Sequence, residues 1–251
     1  MAVADIGHNT AFQSGAHTTF TWTCSTATAS GTLVCIAGYS NDTTGTTANC
    51  SFSDSKGNTY TTLSVATTGS DLIVGYSILT NALTTSDTFT VTTPSVTGGS
   101  WAGDAISITG YSTNDSAVTN KASTFANGVS VTGNTAAQSG EINVGWNNAS
   151  SGTPTAPGAP WNTAPPTGVT NFLAGAWQVN SGTTGLTYNP TNGGTSASVN
   201  SIIASFKPTV AVFIPLAPFQ STRIIRAPGT ILANFIALFR RYTGRRPLLA
   251  G

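Results

Sequence analysis

In "DTFTVTT", residues 87–93, Phe89 and Val91 fall on one side and Thr88, Thr90 and Thr92 on the other. An apolar residue at every second position suits a half-buried β-strand and no helix. The same period recurs in "DAISITGY" (104–111), where Ala105, Ser107 and Thr109 oppose Ile106 and Ile108. "DLIVGYSIL" (71–79) is apolar almost throughout, as a central strand buried on both faces would be. Strand patterns fall at 18–26, 31–40, 48–54, 58–66, 71–80, 86–93, 102–111, 128–133, 139–147, 172–180, 185–189 and 198–207. Lys56-Gly57-Asn58 between two of them is a hairpin turn signal.

So many short strands with turn residues between them predict an all-β fold: a two-sheet antiparallel sandwich of jelly-roll type. Only 7% of the residues are charged, but 39% are hydrophobic, so the chain can build a core and is not of the disordered class. Residues 151–170 hold five prolines, which bars a central strand there. The segment is expected to be a surface loop within one domain, residues 1–207, because the strand patterns after it, up to residue 207, are too few to form a second core. Trp161 in this loop is either a lid over the sandwich edge or an exposed contact.

Beyond Lys207 the texture changes. Prolines at 208, 215, 218 and 228 predict an extended arm, and "TILANFIALFRRYTG" (230–244) predicts a short helix. Thr230 suits the N-cap, Gly244 the C′ position, and Arg240 and Arg241 the last turn. All six arginines lie after residue 222. Residues 1–207 set three lysines against eight acids, a net −5, whereas 208–251 carry six arginines and no acid, a net +6. Arginines interleaved with apolar residues resemble a protein interface more than a nucleic-acid site. The expected partner-binding set is Arg223, Arg226, Ile231, Leu232, Phe235, Ile236, Phe239, Arg240 and Arg241.

The N-terminus "MAVADIGHNT" lacks the pattern of an export signal, and no run reaches the ~18 apolar residues of a membrane span. Cys24 and Cys35 sit on consecutive strand patterns, which leaves open a disulfide or, as the favoured reading, buried free thiols. His8 and His17 have no partner at metal-ligand spacing. Asp54, Asp71, Asp87 and Asp104 are placed at strand ends or turns, where aspartate serves local hydrogen bonding. No catalytic, cofactor or metal motif is present, and the protein is expected not to be an enzyme. Of the five tryptophans, Trp22 and Trp146 read as core, and Trp101 and Trp161 as candidate glycan contacts.

The succession "SFSDSKGNTYTTL", "LIVGYSILTNALTTSDTFTVTT", "AISITGYS" and "SVNSIIASFKP" resembles a β-sandwich domain recurrent in tailed-bacteriophage virion proteins and bacterial surface proteins. The likeness lies in a D-x-x-G-N-x-Y turn, an alternating Thr strand and a closing a-x-F-k-P phrase, over roughly residues 12–208. It implies a structural or adhesive role with no active site to carry over. The expectation is a virion protein made in the host cytoplasm, most readily a capsid decoration or head-surface protein. Its partners would be the major capsid protein, other virion proteins or further copies of itself, with neither nucleic acid nor membrane among them. The alternative is a receptor- or glycan-binding adhesin module of a tail or fibre.

Overall fold

A computed structural model describes residues 1–41, 44–126, 130–132, 139–163, 172–182, 186–193 and 197–209, with 95–98, 113–126 and 197 described by backbone alone. The described residues fall within one unit, Met1–Val210. The predicted terminal helix and the partner-binding residues from Arg223 to Arg241 lie outside the described residues.

The strands are β1 (Val3–Thr23), β2 (Leu33–Ser40), β3 (Ser51–Asp54), β4 (Thr61–Ala66), β5 (Asp71–Ile78), β6 (Thr88–Ile108) and β7 (Tyr111–Ala126). After them come β8 (Val131–Thr132), β9 (Ile142–Ala149), β10 (Pro154–Thr155), β11 (Asn162–Thr163), β12 (Leu173–Val179), β13 (Thr187–Tyr188), β14 (Thr191–Asn192) and β15 (Ala197–Pro208). One sheet has the order β1-β6-β2-β5-β4, with β3 added to β6, and the other runs β11-β12-β9-β15-β7. Two short pairs, β10 with β14 and β8 with β13, complete the fold, and all pairing is antiparallel. The described residues thus form an all-β, sandwich-like fold of curled antiparallel sheets.

The curl originates in β1 and β6. Each has 21 residues. At ~3.3 Å per residue a straight strand of that length would span about 70 Å. A domain of some 210 residues has a radius of gyration of only about 17 Å, so the ribbon must bend. Its register shifts between Asp5 and Gly7, between Gln13 and Ala16, and between His17 and Thr19, and such bulges bend and twist a ladder. The two ends of β1 consequently meet: Ser25 N–H donates to the Ile6 carbonyl at 2.7 Å, and Trp22 Nε1–H to the Gly7 carbonyl at 3.1 Å. The Trp22 ring lies on Gly103 of β6, where a Cβ would stand 2.5 Å from it.

Folding the ribbon back gives the first sheet a core on each face. Alternate residues of β2 divide between them. Leu33, Cys35, Ala37 and Tyr39 face the second sheet, packing with Ile106, Val144, Trp146, Ile202 and Phe206. Val34 and Ile36 face the curled ribbon, packing with Phe20, Trp22, Phe52, Phe89 and Trp101. Every residue of β2 is therefore buried. A third, smaller cluster of Val131, Trp161, Ala176, Tyr188 and Ile203 includes residues on alternate positions of β12 and β15.

The observed strands correct several expectations. β1 begins at Val3 instead of near residue 18, and β7 occupies a stretch that carried no strand pattern. The patterns at 86–93 and 102–111 belong to one strand, β6, which passes through Pro94. Proline is tolerated there because it lies in the shifted register between the His17–Val96 and Thr19–Thr92 pairs, where the ladder is already irregular. The Lys56–Asn58 turn is no hairpin: β3 pairs with β6 and β4 with β5, so the turn is a corner between ladders. Asp104 lies within β6 and not at a strand end. The disulfide alternative also falls. Cys24 and Cys35 are both buried free thiols and belong to different cores.

Candidate functional site

Asp54 and Asp87, expected to serve local hydrogen bonding, do so in the structure. Asp54 closes the D-x-x-G-N-x-Y corner. Its Oδ1 accepts from the backbone N–H of Lys56 at 2.9 Å and of Asn58 at 3.1 Å. Its Oδ2 accepts from Asn58 Nδ2 at 2.9 Å and the Tyr60 hydroxyl at 3.0 Å. Gly57 takes the positive φ of +72° that lets the chain turn this tightly. Burial, together with the Asp54 carboxylate, pushes the Tyr60 hydroxyl far above its ordinary pKa.

Asn58 joins this corner to the next. Its Oδ1 accepts from the backbone N–H groups of Thr80 and Asn81, both at 2.8 Å, while Nδ2 also donates to the Asn81 carbonyl at 3.0 Å. Asp87 fastens the adjacent turn, with Oδ2 accepting from the backbone N–H and hydroxyl of Thr84, both at 2.7 Å. Its Oδ1 accepts from the Ser55 hydroxyl at 2.7 Å. These bonds, with the Thr84 N–H foremost, lower its pKa to about 2.

Three further polar side chains tie the sheets together. Asn148 Nδ2 donates to Ser70 Oγ at 3.0 Å, and its Oδ1 accepts from the Asn200 backbone N–H at 2.9 Å. Asn200 in turn holds the 68–70 turn of the first sheet, donating from Nδ2 to the Ser70 carbonyl at 3.0 Å. Asp104, 1% exposed, accepts from Trp146 Nε1–H, and burial raises its pKa to about 8.

Of the candidate glycan contacts, Trp101 is corrected. It is fully buried, stacking with Phe20 at 6.2 Å in the core of the curled ribbon, and presents no face to solvent. Trp161 is 8% exposed, donates from Nε1 to the Thr187 carbonyl at 3.1 Å and meets Tyr188 edge-on at 5.2 Å. It therefore covers the small third cluster, as a lid would. Trp22 and Trp146 are core. His8 contacts Asp5 at 3.0 Å, and His17 Nε2 meets the Ser14 carbonyl at 2.7 Å, so both serve the β1 ribbon. Among the described residues no three His, Cys, Asp or Glu side chains converge as a metal site requires, and no helix is long and apolar enough to cross a membrane.

One concave surface among the described residues is an open hollow lined by Val3, Pro157, Trp161, Asn162, Thr163 and Trp177. β11 builds one wall: Asn162 pairs with the half-buried Trp177 and shares its face, while Thr163 pairs with Ala176 on the opposite face. Sequence reasoning singled out Trp161 but missed Trp177. Its strand, "LAGAWQV", reads as ordinary core, and nothing local reveals that β11 will pair with its outer edge. No family model, curated protein or solved structure matches this chain.

Proposed function

We propose that this chain is a non-enzymatic structural protein of a tailed-phage particle, a jelly-roll-type capsid decoration or head-surface protein fastened through its C-terminal arm. The observation that carries the reading is the segregation of charge, with a net −5 over residues 1–207 and all six arginines after residue 222. An acidic body and a basic, apolar-flanked arm are complementary between copies, and arginine's planar fork suits bidentate pairing with carboxylates. The order of motifs from Ser51 to Pro208 resembles sandwich domains of virion proteins and supports the same assignment. So does the use of Asp54, Asp87 and Asn58 as turn fasteners, since chemistry would require such groups to face a substrate. Self-association has a second support in β1, an edge strand without Lys, Arg or Pro that carries Phe12 70% exposed.

The test is to purify particles and locate the chain by immunogold on head or tail. Phe235→Asp combined with Phe239→Asp should abolish incorporation, while Arg245→Ala with Arg246→Ala should only weaken it. Attachment resting on apolar burial survives high salt, whereas attachment to packaged DNA would weaken steeply as salt rises. Normal incorporation of the double Phe variant, or release of the wild type by moderate salt, refutes the arm as anchor.

A further inference from the structure

We infer that Val131, Trp161 and Tyr188 form a lid on the outer face of the second sheet, and that the lid opens as a unit while the two main cores stay folded. The inference is independent of the virion assignment and rests on what the lid covers. Alternate residues of β9, β12 and β15 turn away from the inter-sheet core. In register they form a middle row of Ala176, Gly145 and Ile203. Ala174, Asn147 and Ser201 make the row on one side of it, and Gln178, Asn143 and Ser205 the row on the other. Only the middle row suits an apolar cover, and the Tyr188 ring lies on its Gly145. Asn143, Asn147, Ser201 and Ser205 in the flanking rows are nonetheless buried.

Closure leaves this polar surface incompletely paired. The Tyr188 hydroxyl donates to Asn147 Oδ1 at 2.7 Å, and Ser205 Oγ to Asn143 Oδ1 at 2.6 Å. Ser201 Oγ and Asn143 Nδ2 are buried with no hydrogen-bond partner among the described residues. Such groups are costly, and the cost is relieved when water reaches them.

The lid is also tied within itself. Trp161 Nε1–H donates to the Thr187 carbonyl, and its ring meets the edge of Tyr188. Tyr188 pairs with Val131, and Thr187 Oγ1 lies 3.2 Å from Thr132 Oγ1. The described links from these residues to the sheet beneath are the Tyr188 hydroxyl and the apolar contact with Ala176 and Ile203 in the smallest of the three clusters. The β11–β12 pairs at Asn162 and Thr163, which follow Trp161, supply a hinge. A segment joined to itself, over a small cluster and orphaned polar atoms, opens at a lower free energy than the whole domain. Opening presents Ile203, Asn147 and Ser201 to solvent, so this face of the sheet is alternately sealed and available.

Hydrogen exchange of the indole N–H groups in the full chain, followed by NMR below the unfolding transition, reads the opening. Trp161 should exchange at least about a hundredfold faster than Trp22 and Trp146, whose N–H groups are bonded in the two main cores. Its rate should respond weakly to denaturant and theirs steeply, because the lid exposes little surface. Tyr188→Phe removes the bond to Asn147 and should speed Trp161 about tenfold. Ser201→Ala removes an orphaned hydroxyl and should slow it. Ile36→Val, in the core of the curled ribbon, weakens the closed and lid-open forms alike. It should therefore speed Trp22 and Trp146 about fivefold and leave Trp161 unchanged. The inference is overturned if Ile36→Val speeds all three equally, since the lid would then open only with the whole domain. It is equally overturned if Tyr188→Phe leaves Trp161 unchanged, or if Ser201→Ala fails to slow it. None of these outcomes bears on whether the arm anchors the chain in a particle.

Discussion

Trp146 Nε1–H donates to Asp104 Oδ2 at 2.9 Å across the space between the two sheets, and both side chains are almost wholly buried. The acceptor belongs to β6 of the first sheet and the donor to β9 of the second. A carboxyl in this position is disfavoured as an anion, because desolvation outweighs the bonds from the indole and from the Ala105 backbone N–H. Asp5 adds like charge nearby.

This fixes a pH dependence. The folded protein holds the Asp104 proton up to about pH 8, whereas the unfolded chain releases it near the ordinary value of 3.8. Stability from this group is therefore fully present below pH 4 and is lost as pH rises towards 8, at up to about 1.4 kcal/mol per pH unit. Asp104→Asn keeps an acceptor for the indole without a titrating proton. Its melting temperature should stay level between pH 5 and 8, where that of the wild type falls. Parallel slopes in the two proteins would remove Asp104 as the cause.

Asp87 acts in the opposite direction and in another window. Its pKa is lowered to about 2 by the Thr84 and Ser55 bonds, so its stabilisation is present above pH 4 and disappears as the pH falls through about 2. Asp87→Asn should lose stability at neutral pH and show a shallower decline on acidification. Melts between pH 2 and 7 measure both.

Asn58 is the most exacting of the turn residues. Its side chain receives two backbone N–H groups and gives two bonds, one to Asp54 and one to the Asn81 carbonyl. Asn58→Ala leaves those donors and acceptors without their partner and should cost roughly 2–4 kcal/mol in chemical denaturation. Asn58→Asp restores the acceptor but sets a second carboxylate against Asp54, so it should not recover the loss.

Much of this architecture was legible in the sequence, for reasons that also explain the misses. β5 and β15 lie between partners and over cores, so their apolar residues recur as a buried strand demands. The first half of β1 is an edge strand with exposed residues such as His8, Asn9 and Phe12, and it has no alternation to read. β6 was split because Pro94 and the Gly98-Gly99 pair look like turn residues, although the bulged ladder with β1 accommodates the proline. Trp101 follows that pair and so looked exposed, yet the curl encloses it. Asp104 differs from the other acids only in where β6 carries it. The site hollow was half visible: a tryptophan in a Pro-rich loop stands out, but its neighbour Trp177 is assembled by long-range pairing.

The curl itself can be tested at Gly103. A methyl group there would stand 2.5 Å from the Trp22 ring, which lies over the glycine from the returning arm of the ribbon. Gly103→Ala should therefore destabilise by about 1–3 kcal/mol, the usual cost of overpacking. The cause is separable from any loss of backbone freedom, because Trp22→Leu vacates the space the methyl group needs. In a Trp22→Leu background, itself weakened by the lost indole, the additional cost of Gly103→Ala should shrink by at least half, giving a coupling of about 0.5–3 kcal/mol in a double-mutant cycle. Strict additivity of the two changes would mean that the ring does not rest on Gly103, and that the two ends of β1 do not close the second core.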